Sequence, residues 1–83
     1  MTKPVRLELN NTGAWKLLAL FDAGDTEQTD RIMAAADRLA FVLNSPGMAH
    51  TSLRISTDES LPEVLMRWTP ERCVWHGSTR EVA

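Results

Sequence analysis

The residues best suited to chemistry lie near the C-terminus. Cys73-Val74-Trp75-His76 has C-x-x-H spacing, and His50 is the other histidine. Thiolate and imidazole are zinc-binding groups, but a zinc site wants about four ligands converging tetrahedrally. In an extended segment, an offset of three puts Cys73 and His76 on opposite faces, because side chains alternate with period two. A packed thiol and a partly exposed histidine are therefore expected, without metal. The same alternation opposes a Cys–His nucleophile pair within this segment. Pairing of His50 with Cys73 stays geometrically open, but no third orienting group is visible. The four glycines, Gly13, Gly24, Gly47 and Gly77, are scattered singly, so no loop is built to cradle phosphate. Neither catalysis nor a cofactor is expected.

Two charge patterns remain. Asp22, Asp25, Glu27 and Asp30 precede Arg31. They serve either as a ridge competing for a basic groove or as the cap and dipole partners of a helix start. The helix-start role also argues against a divalent-cation site there. Arg6, Lys16, Arg54 and Arg67 form the second pattern, with Glu8 the one acid among them. Open sheets that hold single-stranded nucleic acid combine such cations with an aromatic ring for stacking. Trp75 is the candidate ring, and an ordinary solvated face is the simpler alternative.

The element that must position these groups runs from Asp25 to Asn44. Asp25 or Thr26 suits the N-cap, and Asp25 with Gln28 has capping-box spacing. Glu27 and Arg31 form an i,i+4 pair in the favourable order. Ile32, Ala35, Ala36, Leu39, Val42 and Leu43 draw one apolar stripe. Phe41 falls at its flank. Asn44-Ser45-Pro46-Gly47 ends the helix, since Pro46 disfavours helical geometry at Ser45.

Short strands flank this helix. Val5 to Leu9 alternates, and Asn10 to Gly13 is hairpin-turn chemistry. Ala14 to Asp22 is the return strand. Its alternation puts Trp15, Leu17, Ala19 and Phe21 toward the helix and Lys16, Leu18 and Leu20 away. Residues 50–57, 63–69 and 73–76 complete the strands, with a type I turn at Thr69-Pro70-Glu71-Arg72. In the third and fourth strands, Leu53, Ile55, Val64, Met66 and Trp68 are placed inward, and Arg54, Leu65 and Arg67 outward. The order is β-β-α-β-β-β: an α+β domain with a single helix on one face of a five-stranded, mainly antiparallel sheet. Sheet order 2-1-3-4-5 is favoured over 1-2-3-4-5. The expected core is Leu7, Leu17, Phe21, Ile32, Leu39, Ile55, Met66 and Trp68. This arrangement does not by itself name a family.

Eighty-three residues suit one domain, with a folded core over 5–77, loose residues 1–4 and a flexible tail over 78–83. A formal charge of −2 opposes a strong general attraction to nucleic acid or anionic membrane. The single cysteine forms no intramolecular disulfide, and the N-terminus lacks the apolar run of a signal peptide. The apolar run Leu17 to Phe21 is too short to span a bilayer. A cytoplasmic location is expected.

The remaining functional sign is apolar. Leu18, Leu20 and Leu65 share the expected outward face with Lys16, Arg54 and Arg67, and one helix covers only one face of a sheet. An exposed apolar patch on a small domain marks an interface. The expected role is a non-catalytic protein–protein interaction module: an adaptor, inhibitor or assembly subunit, compatible in size with a phage- or prophage-type accessory protein. A homodimer through the outer sheet face is the simplest form. The alternative is single-stranded nucleic-acid binding through Arg6, Lys16, Arg54 and Arg67.

Overall fold

A computed structural model of the chain describes residues 3–11, 13–48 and 50–77. The elements are β1 (Pro4–Asn10), β2 (Trp15–Asp22), α1 (Thr26–Leu43), β3 (Ser52–Thr57), β4 (Val64–Trp68) and β5 (Trp75–Gly77). They form the α+β arrangement expected, with sheet order β2-β1-β3-β4-β5 and every neighbouring pair antiparallel. The tail at 78–83 lies outside the described residues.

Two boundaries differ from expectation. Residues 3 and 4 are held, because Ala23 N donates to Lys3 O at 2.9 Å and Lys3 N donates to the Asp22 carboxylate at 2.7 Å. The last strand begins at Trp75, not Cys73. Cys73 takes a φ of 55° and belongs to the β4–β5 turn, where Arg72 N and Cys73 N both donate to Thr69 O.

The core lies between the sheet and α1. Val5, Leu7, Leu9, Phe21, Leu53, Ile55 and Trp68 meet Ala36 and Ala40. The helix starts as its sequence implies, with Asp25 Oδ1 accepting from Gln28 N at 3.1 Å. Its buried face, however, is rotated by roughly 80° from the expected stripe, at 3.6 residues per turn. Two indole groups fix that rotation. Trp68 Nε1 donates to Asp37 Oδ1 at 2.5 Å, and Trp75 Nε1 donates to Met33 O at 2.9 Å. A polar Asp37 therefore faces the sheet. Asn44 clips the other end, donating to Ala40 O and Thr51 O and accepting from Thr51 N.

The expected core is correspondingly corrected. Leu39 is 46% exposed and Leu17 55% exposed, whereas Leu7, Phe21, Ile55 and Trp68 are buried. Ile32 and Met66 are half-buried against the core. The displacement of Leu17 has a separate cause. Leu7 pairs with Ala19 but Glu8 pairs with Leu17, so Leu18 is an inserted residue, a β-bulge. Beyond it the facing of β2 inverts. Trp15 and Leu17 turn to the open face, and Lys16 lies opposite Leu9, on the helix side. A second bulge at Leu65 separates the Ile55–Met66 pair from the Ser56–Val64 pair.

Leu53→Ala should cost about 2–5 kcal/mol, the range for a truncated buried leucine. Leu39→Ala should cost less than about 1 kcal/mol, because its side chain already meets water. Urea denaturation of both variants checks the rotation of α1, and equal losses would contradict it. Asp22 gives a second expectation. The N–H groups of Lys3 and Gly24 stabilise its carboxylate and lower its pKa below the ordinary value. A carboxylate lowered in the folded state adds stability above its unfolded pKa of about 3.9, and that stability is lost as pH falls through the folded value. Asp22→Asn should therefore flatten the fall in melting temperature below about pH 4. Parallel curves for the two proteins would remove Asp22 from the acid response.

Candidate interaction surface

The sheet face away from α1 is built by the outward positions of all five strands. Strand registry places Leu20 opposite Arg6, Leu17 opposite Glu8, Arg54 opposite both Glu8 and Arg67, and His76 opposite Arg67. At its centre Glu8 is only 7% exposed. Its Oε1 accepts from Arg54 Nε at 2.7 Å and from Ser56 Oγ at 3.3 Å. Arg6 Nη1 stands 3.8 Å from Oε2, and Arg6 Nη2 pairs with Asp58 at 3.2 Å. The Arg54 guanidinium lies 4.2 Å from the Trp15 ring centroid. This is a cation–π stack.

This geometry corrects the expected basic face. Lys16 leaves it, because the Leu18 bulge turns it to the helix side. Arg6 and Arg54 remain but are paired with Glu8 and Asp58, so Arg67 is the one arginine of the face without an ion pair among the described residues. The aromatic ring on this face beside a cation is Trp15. Trp75 pairs with Trp68 and bonds Met33 on the helix side.

The apolar part of the surface follows β2, the edge strand. Leu17, Leu18 and Leu20 are 55%, 45% and 58% exposed. Leu65, expected beside them, sits in the β4 bulge, half-buried against the core. The exposed leucines thus form a rim along one edge, and the middle of the sheet is polar. Sequence alternation missed Trp15 and Leu17. Its one visible sign was the Leu17–Phe21 run, apolar at every position.

The chemistry-bearing residues elsewhere are resolved differently. Cys73 and His50 line one cleft of about 580 Å³ with Phe41, Asn44, Ser45, Pro46, Pro70 and Glu71. The Cys73 thiol donates to Pro70 O at 3.2 Å. Cys73 sits in a turn, so strand alternation does not set its facing relative to His76. Among the described residues, no three His, Cys, Asp or Glu side chains are grouped to hold a metal. The acids at the helix entry are largely engaged locally: Asp25 caps α1, Asp22 binds the Lys3 and Gly24 amides, and Glu27 pairs with Arg31 at 2.8 Å. Among the described residues, no helix is long and apolar enough to cross a membrane.

The chain matches no protein-family model, no curated protein and no solved structure.

Glu8→Ala should leave Arg54 and Ser56 without their shared acceptor. Because Arg6 and Arg54 keep partial access to water, the loss should fall below that of a fully buried pair, at about 1–3 kcal/mol. Urea denaturation measures it. An unchanged midpoint would mean that the arginine cluster contributes nothing to the fold.

Proposed function

We propose that the protein is a non-catalytic protein–protein interaction module that binds through the apolar rim of β2. The observation carrying this reading is the exposure of Leu17, Leu18 and Leu20 along one sheet edge. Burying each leucine is worth roughly 1.5–3 kcal/mol. A few of them offset the entropic cost of association when the surfaces fit. The paired arginines beside them supply a polar border, as the rim of an interface does. A small adaptor, inhibitor or assembly subunit is consistent with this surface.

The reading is tested with a Leu17→Asp/Leu20→Asp double variant. Both positions are exposed, so the fold should survive, which a melting curve verifies. Affinity capture from the native cell, with light scattering on the purified chain, should show a partner, another protein or a second copy of the chain, bound by the wild type. The double variant should weaken that binding about tenfold or more. A partner held equally by both proteins would refute the apolar rim as the binding surface.

The Arg54–Trp15 stack favours a second reading, single-stranded nucleic-acid binding on the open face. Against it stands the neutralisation of Arg6 and Arg54 by Glu8 and Asp58. Binding that disappears in Trp15→Ala and falls steeply with salt would establish this reading instead.

A further inference from the structure

We propose that the partner is a second copy of this chain, joined by antiparallel pairing of β2 with the β2 of the other copy. The inference rests on the interaction reading above and specifies its occupant. The two-fold axis passes between Leu18 and Ala19.

Backbone direction defines which groups of β2 reach the free edge. Ala23 N donates to Lys3 O, so this pair points its backbone groups at each other across β1 and β2. Asp58 N donates to Pro4 O, so Pro4 points the other way, toward β3. Antiparallel ladders alternate in this manner. Phe21 and Ala19 therefore turn their N–H and C=O groups to β1, and Leu20 turns both of its groups to the free edge; Asp22 turns only its N–H there, because its C=O accepts from Asp25 N and Thr29 Oγ1. Past the bulge the alternation resumes one residue late, because Glu8 pairs with Leu17 and Leu9 with Lys16. Leu17 and Trp15 then face the edge.

The edge-facing residues are thus Trp15, Leu17, Leu20 and Asp22, with spacings of two, three and two. A regular strand has edge-facing groups every second residue and cannot match that row across the bulge. An identical bulged strand can. About an axis between Leu18 and Ala19, Leu17 meets Leu20 of the second copy and Trp15 meets its Asp22, in both halves. A uniform strand could slip by two residues, whereas this one has a single register that pairs Leu17 with Leu20 twice and lets the Asp22 N–H of each copy donate to the Trp15 C=O of the other. The bulge therefore selects a second copy over an arbitrary extended peptide.

The side chains agree with that register. All four edge-facing residues lie on the open face, so the pairing gathers Leu17 and Leu20 of both copies into one cluster. Asp22 of one copy comes opposite Trp15 of the other, whose ring carries the Arg54 guanidinium. The helix adds an independent observation. Met33 and Asp37 tie one flank of α1 to Trp75 and Trp68 in β5 and β4. At 3.6 residues per turn, Leu39 lies on the opposite flank, and it is exposed. Joining the β2 edges brings these flanks toward each other above the extended sheet. Among the described residues, the other sheet edge, β5, spans three.

The test uses the full chain, with light scattering over a concentration series and amide hydrogen exchange. Two chains per particle are expected. The amides of Leu17, Leu20 and Asp22 should be protected in the dimer and lose protection on dilution. Leu20→Pro removes an edge-facing N–H and no bond to β1, so the monomer should stay folded. Its dimer dissociation constant should rise at least about tenfold. If this variant does not fold, exchange in the wild type decides alone. A wild-type dimer whose Leu17 and Leu20 amides exchange freely would overturn strand pairing but leave the apolar rim as an interface. A wild type that stays monomeric at its highest soluble concentration would overturn the second copy as occupant. Failure of the rim itself is read separately, from the Leu17→Asp/Leu20→Asp variant.

Discussion

The inserted Leu18 in β2 is the constraint from which the surface follows. One extra residue between the Leu7–Ala19 and Glu8–Leu17 pairs inverts the facing of everything before it. Ala19 and Phe21 still turn to the core, while Leu17 and Trp15 turn away. Packing supplies a reason for this division. Ala36 and Ala40 are buried and bring α1 close to the sheet. The helix side of the sheet already holds the indoles of Trp68 and Trp75, both bonded to α1. On the open face, the Trp15 ring finds the Arg54 guanidinium and covers it.

That open face is not an unstructured polar surface. Glu8 and Ser56 are buried there although no second layer covers them. The cover comes from the arginines themselves, whose guanidinium groups bind Glu8 and Asp58 while staying largely out of water. The central strands β1 and β3 can thus keep one face toward water while losing few polar contacts. The edge strand has no such arrangement. Its leucines are left outside the network, which concentrates exposed apolar surface on one side of the sheet.

Much of this architecture was legible in the sequence because it rests on local rules. Alternation in β1 and β3, the Asp25 cap, the turn at Thr69 and the Pro46 stop each depend on a few neighbouring residues. Element order followed from them, while strand order stayed open between 2-1-3-4-5, the favoured one, and 1-2-3-4-5. The rotation of α1 was not legible. Apolar periodicity favoured Ile32, Leu39 and Val42, but the helix turns so that polar Asp37 and the Met33 carbonyl reach two indole N–H groups 31 and 42 residues away in the chain. Such tertiary bonds have no local signature. The bulges at Leu18 and Leu65 were hidden for a related reason. Each sits among apolar residues, where a slip of one position leaves the hydrophobic pattern looking intact. The exposed edge was half legible as a result: Leu18 and Leu20 are exposed as expected, Trp15 and Leu17 turn outward against expectation, Lys16 turns to the helix side and Leu65 sits half-buried in a bulge.

An eight-residue, largely apolar edge strand is ordinarily a liability, because its unpaired backbone groups template further strands. Proteins blunt such edges with charges, short lengths or bulges. Here Lys16 and Asp22 flank the leucines, and Leu18 interrupts the regular spacing of edge-facing groups. The interruption does not remove those groups; it changes which strand can satisfy them. A flat, regular strand meets mismatched donors and acceptors halfway along. The inserted residue that re-aims Trp15 toward Arg54 therefore also makes the edge selective. Exposure of leucine and resistance to indiscriminate strand addition coexist because one backbone irregularity produces both.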